Sequence, residues 1–245
     1  MVFDPLTAAS VLVLAAGSSS AARVDMDNLC VMPKAADIRV VPSTRAIRYD
    51  YSKSLAQMQG VGIDTIDPHS FGSGISMTQG YMKGAIKLAP QVQIATKTYP
   101  ALQAGCVWYD KINIKIEIDP TIVIAKEVKA DPCMSKAVAD HEMKHIMVDR
   151  QVVNKYSRII GEQVRAELKQ RGFMAGPIPQ NAMQSVANRM QKTVFQVVEH
   201  QYKKMELERL ELQRAVDSAQ EYERVRNLCP DFNPMKLQRE RRRSN

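Results

Sequence analysis

From Pro132 to Arg171 the chain meets no breaker except Gly161, and that run limits the possible folds more than any other feature of the sequence. Val138, Val152, Val153, Tyr156, Ile159, Ile160, Val164 and Leu168 recur in it mostly at three- and four-residue steps, the spacing of one helical face. Asp131-Pro132 supplies an N-cap and a first-turn proline. The spacing predicts a long amphipathic helix ending near Gly172. Gly172 to Pro179 holds Gly172, Gly176, Pro177 and Pro179 and reads as a turn. A second helical stretch runs from Asn181 to about Asn227, with Val186, Met190, Val194, Val197, Val198, Tyr202, Met205, Leu210 and Leu212 as its apolar positions. Two long helices joined by a short turn form an antiparallel hairpin.

Upstream the hydrophobic period becomes two. Lys111 to Asp119 alternates polar and apolar residues without a break, which sets Ile112, Ile114, Ile116 and Ile118 on one buried strand face. Pro120 is expected to end that strand, with 121–125 as a further short apolar segment. Ile38–Val41, Ile47–Tyr51 and Gln91–Thr98 read as other strands, and Gly60–Gly80 as loop. Trp108 and Tyr109 are expected to pack beneath the helix. The expected fold class is α+β: a small, mainly antiparallel sheet packed on the first long helix, followed by the helical hairpin.

The first 22 residues hold an apolar stretch, Leu6 to Ala16, and then small residues ending Ser20-Ala21-Ala22. That pattern is a secretory signal peptide, atypical in having Asp4 and no Lys or Arg before the apolar run, and it implies a periplasmic or secreted protein. No later segment approaches the roughly 18 apolar residues of a membrane span. Cys30, Cys106, Cys133 and Cys229 lack the C-x-x-C spacing of a thiolate zinc site. In an exported protein they can pair, with Cys106–Cys133 and Cys30–Cys229 the expected set and four buried free thiols the alternative. Part of the net charge of +8 sits in Arg239, Arg241, Arg242 and Arg243. Without interleaved aromatics or a nucleic-acid module these read as a solvated tail, and no nucleic-acid partner is expected. The expected organisation is thus 1–22 leader, 23–172 sheet and first helix, 173–228 second helix, and 229–245 basic tail.

Inside the first helix lies His141-Glu142-Met143-Lys144-His145, a complete H-E-x-x-H. Histidines four residues apart share one helical face, so both imidazoles can reach one ion, and neutral nitrogen donors suit zinc. Glu142 is rotated about a third of a turn away, placed to take a proton from a zinc-bound water. The chemistry expected is zinc-dependent hydrolysis, with Zn2+ as cofactor.

A strand, then a helix carrying His141-Glu142-x-x-His145, then a further helix resembles the zincin metallopeptidases over about Lys111 to Gly172. That resemblance implies zinc on His141 and His145, Glu142 as general base, a third ligand downstream, and a protein or peptide substrate. More loosely, Cys106-x-Trp108, the motif and an acidic downstream helix are similar to a bacterial family of secreted zinc-dependent proteases of unknown function. That family closes on a Tyr-Asp and a His-Gly pair, where this chain has Val216-Asp217 and Glu221-Tyr222.

The third ligand is left open by the sequence. The metzincin pattern is excluded, because Val148 and Gln151 stand where it needs glycine and histidine. Glu162 and Glu167, at gluzincin spacing, lie roughly 25 Å or more along the same helix and cannot reach. Glu221 is the first choice and Asp217 the next, with Glu206, Glu208, Glu211, His200 and Asp149 as alternatives. Asp149 could instead hydrogen-bond a ligand histidine. Tyr222 is a candidate for stabilising an oxyanion. The rival function is a non-catalytic envelope protein with a structural or vestigial metal and a hairpin that docks a partner.

Overall fold

The computed structural model describes residues 29–58 and 78–233. The expected leader, nearly all of the Gly60–Gly80 loop with His69, and the arginines from 239 to 243 lie outside the described residues. In chain order come β1 (Asp37–Thr44), β2 (Arg48–Asp50), α1 (Leu55–Met58), β3 (Gly80–Tyr99), β4 (Ala104–Ile124), α2 (Lys126–Lys129), α3 (Pro132–Arg171), β5 (Met174–Pro179), α4 (Met183–Val216) and α5 (Ala219–Leu228). The class is α+β, with one sheet and a long helix lying on it.

Strand β4 is the axis of the sheet. Along one edge it pairs antiparallel with β3 over its whole length. A strand has only two edges, so β5, β1 and β2 share the other, opposite 104–108, 111–118 and 121–123 respectively. β1 and β2 run parallel to β4, which corrects the mainly antiparallel sheet expected from sequence to a mixed one. The cause is chain order: β3 comes between them and β4, and its reversal leaves the earlier strands pointing along β4. Pro120 does not end β4 either. Its missing N–H falls between Ile118, where β1 stops, and Thr121, where β2 starts, so it interrupts neither parallel ladder.

Alternation in β4 drives Ile112, Ile114, Ile116 and Ile118 into a core shared with Val152, Val153, Tyr156, Ile160, Val164 and Leu168 of α3 and Val194, Val198 and Met205 of α4. Tyr109 joins it, donating its hydroxyl to the Met190 carbonyl at 2.8 Å. Trp108, expected beside it, points to the opposite face and packs with Cys30 and Cys106, because neighbours in a strand face opposite ways. A second core joins Ile122, Val123 and Ile124 to Met134, Ala137, Val138 and Ile146 of α3.

Helix α3 has the ends its cap residues predict. Asp131 accepts from the Met134 N–H at 2.8 Å, and Gly172, at φ 96°, donates to the Leu168 carbonyl. Three expectations downstream are corrected. Residues 174–179 are not a bare turn but strand β5, because their backbone groups find partners on the free edge at the start of β4. The second helix is not continuous to Asn227: α4 stops at Val216, Asp217 leaves helical geometry (φ −82°, ψ 45°), and Ser218 caps α5 by accepting from the Glu221 N–H at 3.3 Å. The disulfides are Cys30–Cys106 and Cys133–Cys229, not Cys106–Cys133 and Cys30–Cys229. Cys106 lies near the start of β4 and Cys133 just beyond its end, roughly 60 Å away along an extended strand, far outside the reach of a disulfide. Cys133 meets Cys229 instead, where α5 returns to the first turn of α3. Among the described residues no helix is long and apolar enough to cross a membrane.

Candidate metal centre

The buried stripe of α3 turns polar near its N-terminal end. His141, Glu142, His145 and Asp149 occupy positions that its three- and four-residue rhythm would otherwise give to apolar side chains. The end of α4 does the same with Arg209, Gln213 and then Asp217 at its C-cap. Since the two run antiparallel and each series steps by four residues, they meet as three rungs. The Arg209 Nε donates to Asp149 Oδ1 at 2.6 Å, the His145 Nδ1 donates to Gln213 Oε1, and His141 faces Asp217 at 3.2 Å.

Asp217 is where the two histidines converge. Its Oδ1 lies 3.2 Å from the Nε2 of His141 and 3.2 Å from the Nε2 of His145. The two rings stand nearly perpendicular, at 88° with centroids 5.1 Å apart. Donor atoms of His141, His145 and Asp217 all fall within 4.8 Å of one another, so these three residues can hold a metal ion. Donors about 2.0–2.1 Å from a tetrahedral zinc lie roughly 3.3 Å apart, which matches both Nε2–Oδ1 separations. The second oxygen, Oδ2 of Asp217, is buried and has no hydrogen-bond partner. An ionised oxygen left so costs several kcal/mol, roughly, unless a cation or proton satisfies it. The donor set therefore fits a cation.

Electrostatics agree. Burial raises the carboxyl pKa of Asp217, but the hydrogen bonds from His141 and His145 outweigh it and hold the group far below the usual carboxylate range. Burial also pulls His145 down, and the bond to Asp217 with the charges of Glu142 and Asp217 raises it on balance. Glu142 is pushed up by burial, against the opposing pull of the two histidines. The backbone N–H of Met82 in β3 adds a smaller downward pull. A Cβ on Gly80 would collide with Val138 and come 3.5 Å from the Glu142 carboxylate, so only glycine lets the start of β3 lie this close to α3.

The sequence placed His141, Glu142 and His145 together, and so does the structure. Glu221, its first choice as third ligand, lies outside the group that can hold an ion: it meets His141 on the other nitrogen, Nδ1, at 3.3 Å. There it is paired with Arg224 and Lys144, which together with His141 hold its pKa at about 2. Asp217 stands in the group in its place. Tyr222 donates to Asp217 Oδ1 at 3.3 Å. Asp149 is tied to Arg209 and reaches His145 only through Gln213. Glu208 pairs with Lys155, Glu206 with Arg209, and Glu211 and His200 are exposed.

Two features escaped the sequence analysis. Gln213 stands where the apolar rhythm of α4 should continue, but nothing local pairs it with His145. The break at Asp217 did carry a signal, since Ser218-x-x-Glu221 has the form of a capping box and marks a new helix start.

Comparison with protein-family models, with curated proteins and with solved structures finds no match for this chain.

Proposed function

We propose that the protein is a zinc-dependent peptidase in which His141, His145 and Asp217 hold the ion and Glu142 is the general base. The observation that carries this is the convergence of two Nε2 atoms on one carboxylate whose second oxygen is buried without a partner, with Glu142 alongside. Two imidazoles and a carboxylate suit zinc, and three protein donors is the number found in catalytic zinc sites, where structural ones have four. Bound there, zinc supplies a Lewis acid that polarises a scissile carbonyl and acidifies water. Glu142 takes the proton from the attacking water and returns it to the leaving amine. Its raised pKa suits a group that must both accept and release a proton near neutrality.

A peptide substrate is favoured by the position of β3. Among the described strands it pairs only with β4; Tyr202 and Gln191 of α4 bond to its Ile86 and Val92 carbonyls, and its start at Gly80, beside Glu142, is where an extended chain would add. The two disulfides support work in an oxidising compartment such as the periplasm or the outside of the cell. The Glu142→Gln variant is expected to bind zinc as the wild type does and to lose about 10²–10⁴-fold in peptide hydrolysis. Full activity in that variant with zinc still bound would remove Glu142 from its role.

One observation favours a second reading, a structural metal in a non-catalytic protein. His141, Glu142, His145 and Asp217 are only 6%, 4%, 6% and 3% exposed, and Glu221 and Tyr222 of α5 lie against His141. Stoichiometric zinc with no cleavage of any unfolded protein substrate is the outcome that reading requires.

A further inference from the structure

We infer that Gln213 is a positioning residue of the metal centre: it decides which ring nitrogen of His145 faces the ion, and Asp149 and Arg209 act on the centre only through it. The inference rests on the metal site proposed above. Gln213 is buried, and its amide has only one workable orientation. The Nε2 lies 3.1 Å from the His145 carbonyl oxygen and 2.7 Å from Asp149 Oδ1. Both of those atoms only accept, so turning the amide over would set an oxygen against two acceptors. Asp149 in turn accepts from the Arg209 guanidinium, at 2.6 and 3.3 Å.

The consequence falls on His145. With its nitrogen committed to acceptors, Gln213 presents Oε1 to the His145 Nδ1. A carbonyl oxygen can only accept, so Nδ1 must carry the proton. In the neutral ring of an ion-bound site the lone pair is then on Nε2, the atom whose N–H otherwise bonds Asp217 at 3.2 Å. Glu221 makes the corresponding contact on the Nδ1 of His141. The two supports differ in charge for a reason. Glu221 is offset by Lys144 and Arg224, whereas a carboxylate at position 213 would stand in contact with Asp149, in a region that already buries Asp217 and Glu142. A neutral amide orients the ring without adding a further buried negative charge.

The test uses the full chain with Gln213→Met, which keeps the shape and removes the acceptor, and Gln213→Glu, which keeps an acceptor. Folding is checked by thermal melting. Zinc affinity is read by competition with a chromophoric chelator, and the imidazole Nδ1–H of His145 is followed by NMR in the zinc-loaded protein. The wild type should show that proton protected from solvent exchange. Gln213→Met should lose the protected signal and about 10–100-fold in zinc affinity, while Gln213→Glu keeps the signal, because one oxygen still accepts from Nδ1, but melts at a lower temperature because the other oxygen faces Asp149. Wild-type affinity and an unchanged signal in Gln213→Met would overturn the positioning role alone, as would equal loss in both variants. A wild-type protein that takes up no zinc overturns the metal site itself, and this inference with it. Should Gln213→Met fail to fold, a folded Gln213→Glu without the protected proton overturns the positioning role, and one that retains it upholds it.

Discussion

Toward their connection, α3 and α4 contribute Val153, Ile160 and Val164, with Val194 and Val198, to a single apolar cluster; toward the other end the same helical faces carry Asp149, His145 and His141 against Arg209, Gln213 and Asp217. The spacing is shared and the chemistry is opposite. Burying the apolar residues gains about 25 cal/mol per Å², enough to hold the hairpin on the sheet. The polar rungs gain far less, because each charge must be stripped of water first. Arg209 and the hydrogen bonds of Gln213 offset part of that cost, and Asp217 Oδ2 still has no partner. A chain selected for stability alone would have continued the apolar stripe. On the proposed reading, stability and metal binding are thus assigned to different lengths of one interface, and substitutions should separate them.

The largest effect is expected at Asp217. Asp217→Ala removes the donor on which both histidines converge, and its zinc affinity should fall by more than the 10–100-fold typical for loss of a supporting group. Affinity equal to wild type in the chelator competition would mean that the third donor lies elsewhere. Next comes the apolar end. Ile160→Ala should cost about 2–5 kcal/mol in urea unfolding and leave zinc affinity within about threefold, since the residue is fully buried in the core shared with β4. A large loss of zinc in a folded Ile160→Ala protein would show that the two ends are not separable. The smallest effect is expected for Glu221→Gln. Glutamine can still accept from His141 Nδ1, and what is lost is the pairing with Lys144 and Arg224, each about two-fifths exposed. Such pairs contribute about 0–1 kcal/mol, so zinc affinity should fall by no more than about fivefold. A fall as deep as that of Asp217→Ala would restore Glu221 as the third ligand.

Parts of this structure were open to local inspection. The alternation of Ile112 to Ile118 set the buried face of β4, Asp131 and Gly172 marked the ends of α3, and His141, Glu142 and His145 lay within one turn of each other. Even the polar rungs left a trace, as charged and amide residues standing where an apolar stripe should continue. The trace could be noticed but not paired. Which residue of α4 faces His145 depends on how many residues the connection uses before α4 begins. Counted evenly from the observed ends Arg171 and Met183, His145 would face Arg209; it meets Gln213, one turn farther along α4, so the offset comes from how the two helices lie against each other.

The amino-acid order alone determined the helices, the strand face and the histidine pair, because each is set by interactions among residues a few positions apart. The approach of Asp217 to the histidine pair, the parallel strands and the disulfide partners were decided only by the tertiary structure. Each brings together residues separated by some seventy to a hundred positions, and the connection lengths, sheet pairing and helix break that align them leave no periodic mark on the chain.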